Sequence, residues 1–289
     1  MKTNRNISFG SLLLLLGLSF FISNSIAETK RSTFKSESQL RLDDFKRLAE
    51  PDEIIELVSG EEPFVVFKSE ETTSFSRGTA ILLPDLATSQ VGSHAYQYLR
   101  HSLNEHGWLT LAADTGELAS KEPLDTSELE VYMSRPDQSA EQLSEKYIKQ
   151  QKLNLQMRIT ALVNKASEYP GINMVIAQGA TAGYLTELYH DGVIIEPEIF
   201  VLIQPYLPDH KANKLLAKKI ASLQSPILDI WSDYDNPWAR ATVESRKRFA
   251  RKLLTVHYRQ RQLFGDMGWE QRDARLTREI VGYIAYLGW

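Results

Sequence analysis

Hydrophobic residues in this chain alternate between short continuous runs and longer stretches where they recur every three or four positions. Gly78-Thr-Ala-Ile-Leu-Leu83 is such a continuous run and stops at Pro84. An apolar run closed by a breaker predicts a strand buried on both faces. Trp108–Ala113, Asn173–Gln178, Ile199–Ile203 and Pro226–Trp231 read the same way, Phe64–Phe67 is a shorter candidate, and His257–Phe264 alternates enough to be a strand. Helical spacing fills the intervals. His94–Glu105 is one helix, with Gly107 as its C′ residue. Leu143, Tyr147, Leu155, Ile159, Leu162 and Ala166 mark a long amphipathic helix ending near Pro170-Gly171. Further helices are expected up to His190, in the Lys-rich stretch before Pro226, over Val243–Leu254 and over Arg272–Leu287. Towards the N-terminus, Leu42, Phe45 and Leu48, then Ile54, Ile55 and Val58 after Pro51, read as two short amphipathic helices. Strands alternating with helices of this length imply a mostly parallel sheet with helices on both faces, an α/β domain over residues 61–289. Residues 28–60 form a leader with short helices, and no internal repeat is visible.

Two segments break this rhythm. At the start, Lys2 and Arg5 precede an apolar run from Leu12 to Ile22, and Ser25-Ile26-Ala27 is a small-x-small site before Glu28. That order marks residues 1–27 as a secretory signal peptide, and the apolar run falls short of the roughly 20 residues that span a bilayer. The expected destination is the periplasm, with no transmembrane segment left after cleavage. The second departure is residues 114–140, an acidic excursion with seven acidic and two basic residues and little apolar periodicity. It reads as a long surface flap.

Charge and cysteine content narrow the classes. The formal charge is −4, and residues 1–27 carry two basic and no acidic groups, so the processed chain stands at −6. That mild acidity argues against nucleic acid, which needs a concentrated basic surface. With no cysteine, an exported chain has neither disulfides nor thiolate metal sites, and stability rests on the core.

The most informative stretch is Asn173-Met-Val-Ile-Ala-Gln-Gly-Ala-Thr-Ala-Gly-Tyr-Leu185. A strand runs directly into a small-residue turn and a helix, where α/β-hydrolases carry a nucleophile in G-x-S-x-G. Here the serine is absent, and the turn has two registers. Gly179 takes the nucleophile position in one. Thr181 takes it in the other, within Gly179-Ala180-Thr181-Ala182-Gly183. The flanking glycines favour Thr181; the strained backbone of such an elbow favours glycine.

Other segments carry a family resemblance. Leu99-Arg-His-Ser-Leu-Asn-Glu-His-Gly-Trp-Leu-Thr-Leu111, together with Gly78–Pro84, Ala177-Gln-Gly-Ala-Thr-Ala182, Pro226-Ile-Leu-Asp229 and Tyr258-Arg-Gln260, resembles DUF3530, a family of bacterial exported proteins of unknown function. The resemblance implies an α/β-hydrolase fold and brings no established reaction with it.

The remaining addresses of a hydrolase triad are an acid after a later strand and a histidine after the last. Ile230-Trp-Ser-Asp-Tyr-Asp-Asn-Pro237 places Asp233 and Asp235 at the first. Asp235 or Asn236 would serve equally as a helix cap. The loop Phe264–Gln271 contains no histidine, and His257 lies at the other end of its strand. His101 is expected on a solvent face, and His190 and His210 beside acids at helix ends. Trp231, Tyr234 and Trp238 flank the acid loop as candidate walls of a ligand pocket. No metal-ligand, phosphate-loop or dinucleotide pattern occurs, so neither metal nor cofactor is expected. These features point to an exported α/β-hydrolase-fold protein with a degenerate triad. Its expected role is non-catalytic binding of a small molecule or an envelope protein. The alternative is an esterase using Thr181 with Asp233 or Asp235.

Overall fold

The computed structural model describes residues 43, 51–60, 62–86, 94–115, 145–265 and 270–289. Eight strands form one sheet: β1 (Ile54–Ser59), β2 (Glu62–Ser69), β3 (Gly78–Leu83), β4 (Trp108–Ala113), β5 (Ile172–Gln178), β6 (Ile199–Ile203), β7 (Ile227–Trp231) and β8 (Tyr258–Gln262). Their order is β1-β2-β4-β3-β5-β6-β7-β8. β2 runs antiparallel to both β1 and β4, and every pairing from β4 through β8 is parallel. The helices are α1 (His94–Asn104), α2 (Glu145–Ala166), α3 (Gly179–His190), α4 (His210–Ser222), the single turn α5 (Pro237–Arg240), α6 (Val243–Lys252) and α7 (Glu270–Leu287).

Side-chain alternation along the strands builds two cores. Ile81, Leu83, Val175 and Ala177 face α2, α3 and α4. Ala80, Leu82, Met174 and Ile176 face α1 and α7. Because both faces are covered, the central strands carry no polar face, which is why they read as unbroken apolar runs. α3 is buried from Gly179 through Tyr189 and therefore shows no helical stripe.

The N-terminal reading needs one correction. Ile54, Ile55 and Val58 belong to β1 rather than to a helix. Their spacing suits either period, but the β-branched residues gain a partner through a tight hairpin. Ser59 pairs with Glu62, and Gly60 takes a left-handed φ of 67° in the turn. The helix expected over Leu42–Leu48 lies outside the described residues, apart from a helical Asp43, as does the acidic excursion beyond Thr115.

β7 carries a charge into the interior. Asp229 and Arg246 of α6 are both fully buried and paired at 2.8 Å. Tyr258 and Gln260 of β8 donate to the same Asp229 oxygen, and Arg246 also donates to Ala239 O and the Thr242 hydroxyl. Burial and the neighbouring Asp229 push the Tyr258 phenol well up. Asp229, Tyr258 and Gln260, from two segments that carry the family resemblance, thus meet in one cluster. It locks α6 and the edge strand onto β7.

A candidate functional site at the β5–α3 turn

The parallel strands end together, so the residues after β3, β5, β6, β7 and β8 share one edge of the sheet. β5 passes into α3 without a loop: Gln178 is extended (φ −114°, ψ 149°), and Gly179 already has φ 59°. A side chain at this left-handed position would be strained. It would also collide. A Cβ on Gly179 would lie 2.2 Å from both the carboxyl carbon and Oδ2 of Asp85.

Asp85 sits just beyond β3 and Pro84, and its carboxylate is held from three sides. Oδ1 accepts from Ala180 N at 2.9 Å and from Leu86 N at 2.8 Å. Oδ2 accepts from the Tyr206 hydroxyl at 3.1 Å, and the Tyr206 amide in turn donates to Gly179 O. Burial raises the Asp85 pKa above the usual carboxylate range, and its three hydrogen bonds offset that only in part. Burial together with Asp85 pushes the Tyr206 phenol up. In an acyl-transferring hydrolase of this architecture, the oxyanion is held by two amides: that of the residue after the nucleophile and one from the loop after β3. The amides of Ala180 and Leu86 occupy those two places, and here they bind the protein's own carboxylate. The N-terminus of α3 adds its favourable dipole for the anion.

The rest of the turn packs closely against its neighbours. The Thr181 hydroxyl is fully buried and donates to Pro84 O at 2.7 Å, in the first turn of α3. No histidine among the described residues hydrogen-bonds to it. Ala180 and Ala182 are buried in the core facing α2 and α4. A Cβ on Gly183 would lie 2.1 Å from Tyr206 O, so this glycine admits the loop after β6. The literal G-x-T-x-G match therefore arises from two separate close approaches, one at each glycine. Gln178 is also buried at this edge, and its Oε1 has no hydrogen-bond partner among the described residues.

The acid loop lies at the same edge, after β7. Asp233 is exposed and accepts from Gln262 Nε2 at 2.8 Å. Asp235 is buried and folds the loop back by accepting from Ser232 N at 2.6 Å. Asn236 caps α5 by accepting from Trp238 N at 2.9 Å, ahead of Pro237. Trp231 and Trp238 are half-buried, Tyr234 is exposed, and Trp238 lies against the His210 ring at 4.5 Å. Among the described histidine side chains, His190 meets the Ser222 hydroxyl, His101 lies beside Arg100, and His257 precedes β8 at the opposite edge from Gly179. Among the described residues, no three His, Asp or Glu side chains are grouped to hold a metal ion.

Asp85 and Tyr206 are the participants that strand and motif reading passed over. The available signal was a carboxylate immediately after the breaker that ends β3, paired with a glycine where a nucleophile belongs.

The strand order and the β5–α3 turn define the α/β-hydrolase fold. Est1E from Butyrivibrio proteoclasticus shares it with a TM-score of 0.56 at 10% identity, covering 81% of this chain and 98% of that one. A dienelactone hydrolase from Anabaena variabilis gives 0.54 at 12% identity, over 81% and 96%. A serine hydrolase homologue from Coxiella burnetii gives 0.52 at 13%, over 81% and 97%. At such identities the likeness concerns the fold. The chain belongs to the family of proteins of unknown function DUF3530, whose pattern matches residues 23–286. No curated protein sequence matches it.

Proposed function

We propose that this is a non-catalytic, exported member of the α/β-hydrolase fold, a binding or accessory protein of the cell envelope. One observation carries the reading. The Asp85 carboxylate stands both where a nucleophilic side chain would project and where the oxyanion of an acyl-transfer intermediate would be received. A transition state that builds negative charge on those amides would meet an acceptor already seated there. Thr181 spends its hydrogen on Pro84, and the chain offers no histidine in the loop after β8 to replace that partner. Without a base, a hydroxyl near neutral pH is a poor nucleophile. The aromatic residues Trp231, Tyr234 and Trp238 supply the walls of a ligand site in this reading. Export rests on the layout of residues 1–27.

The test is turnover of short-chain acyl esters by the purified protein beside Thr181→Ala and Asp233→Ala variants. The expected rate for all three is no greater than the roughly 10³–10⁴-fold acceleration over water that a triad-less hydrolase scaffold retains. Robust turnover that Thr181→Ala abolishes would instead establish the esterase reading.

A further inference from the structure

We propose that the protein docks on anionic lipid surfaces through the edge of the sheet opposite the Gly179 turn. Leu254 and Val256 enter the apolar layer, and the cations of α6 meet the headgroups. This surface is independent of the site described above.

The starting point is a residue in the wrong place for its chemistry. α6 ends in a tight reversal: Leu254 N donates to Arg251 O, and Thr255 N donates to Ala250 O. That pair of bonds is the Schellman arrangement, whose left-handed residue is usually glycine. Here the residue is Leu254, with φ 53°, and it is 82% exposed. Glycine would relieve the backbone and remove an apolar side chain from water. Leucine does neither, and within the fold it gains almost no burial in return. An outlier that costs the fold and projects outward points to a contact outside it.

Its surroundings indicate the partner. Val256, two residues on, is 68% exposed, and Ile195, in the loop leading to β6 at the same edge, is 92% exposed. Tyr286, in the last turn of α7, is exposed and its ring packs against His257 beside this loop, and Trp289, two residues past the helix, is exposed as well. Aliphatic residues that project without a covering neighbour suit a fluid apolar phase, which needs no matching pocket. Tyrosine and tryptophan favour the level of the headgroups. The charge is complementary. In a chain of net charge −4, α6 exposes Lys247, Arg248, Arg251 and Lys252 against the single acid Glu244. An open cleft of about 590 Å³ between α6 and β8, lined by Lys247, Arg251, Leu254 and Tyr258, places cationic and apolar groups side by side. Glu196, which accepts from Gln224 N and Ser225 N, and Glu198, which accepts from Asn173 N, keep their charge at this edge, so the attraction to anionic lipid rests on α6. Apolar insertion plus cation–anion attraction is the pattern of peripheral membrane binding. Among the described residues, no helix is long and apolar enough to cross a membrane.

The experiment is co-sedimentation of the protein, as its host exports it, with vesicles of phosphatidylglycerol in phosphatidylcholine and with vesicles of phosphatidylcholine alone. Binding is expected only to the mixed vesicles and is expected to weaken with added salt. Leu254→Gly should weaken it about tenfold or more, as loss of a leucine's insertion implies. The same variant should melt no lower than the wild type, which a merely structural residue would not do. Arg251→Gln should weaken binding by about fivefold, the effect of one cation near an anionic surface. Equal binding to both vesicle types, no binding to either, or binding indifferent to Leu254→Gly overturns the proposal.

Discussion

Asp85 is stationed among groups that an enzyme would reserve for its reaction. Its carboxylate satisfies two amides and a phenol, all part of the β3, α3 and β6 junction. Asp85→Ala leaves those donors unpaired and should lower stability by about 2 kcal/mol, read by chemical denaturation. The pH dependence has a definite sign. Because burial raises the Asp85 pKa, the native state holds its proton to higher pH than the unfolded chain does. This group's contribution to stability therefore falls as pH rises from the ordinary carboxylate value through the raised one. Asp85→Asn should flatten that limb in melting curves measured against pH. Thr181→Val, which keeps the shape and removes the bond to Pro84, should cost about 1–2 kcal/mol, and a wholly unaffected variant would show that the hydroxyl is not structural.

Between elements, polar groups add specific locks to the apolar cores. Glu187 of α3 lies between Lys152 of α2 and Lys219 of α4, joining three helices over one face of the sheet. Burial opposes its charge, but the two lysines outweigh it and hold the Glu187 carboxyl below its usual range. Here the sign is opposite to that of Asp85. The stabilisation is complete above the ordinary glutamate value and is lost as pH falls through the lowered one. Glu187→Gln should remove that acid limb, and melting curves that keep the same acid slope would exclude the clasp. The Asp229–Arg246 pair presents a different balance. Arg246→Leu strands a buried carboxylate and should cost about 3–5 kcal/mol in denaturant titrations. The central strands and most helices were legible because double-sided burial leaves continuous apolar runs, and single-sided burial leaves a helical stripe. β1 was not, since the spacing of Ile54, Ile55 and Val58 fits both periods and only pairing with β2 decides. At the site, the preference of a strained turn for glycine was legible, and Gly179 does take the left-handed conformation. Asp85 was not, because its role exists only where two segments almost a hundred residues apart meet.

At the scale of the whole molecule, the α/β-hydrolase fold is recognisable at about a tenth sequence identity. The chain's strand order and its β5–α3 turn are those of the fold. If residues 1–27 direct export, mass spectrometry of the protein recovered from its host should find Glu28 at the N-terminus; a retained segment would place the chain on the inner membrane instead. The claim beneath the functional reading is that Asp85 and any side chain at residue 179 compete for one space. The most direct measurement is the stability of four proteins: wild type, Gly179→Ala, Asp85→Ala and the double variant. Backbone strain alone should charge Gly179→Ala about 1–2 kcal/mol in either background. The collision with the carboxylate adds to that only when Asp85 is present. A substantially smaller cost of Gly179→Ala in the Asp85→Ala background, with a coupling of about 1 kcal/mol or more, is the expected result. Strict additivity would contradict it, and with it the occupation of the nucleophile's place by Asp85.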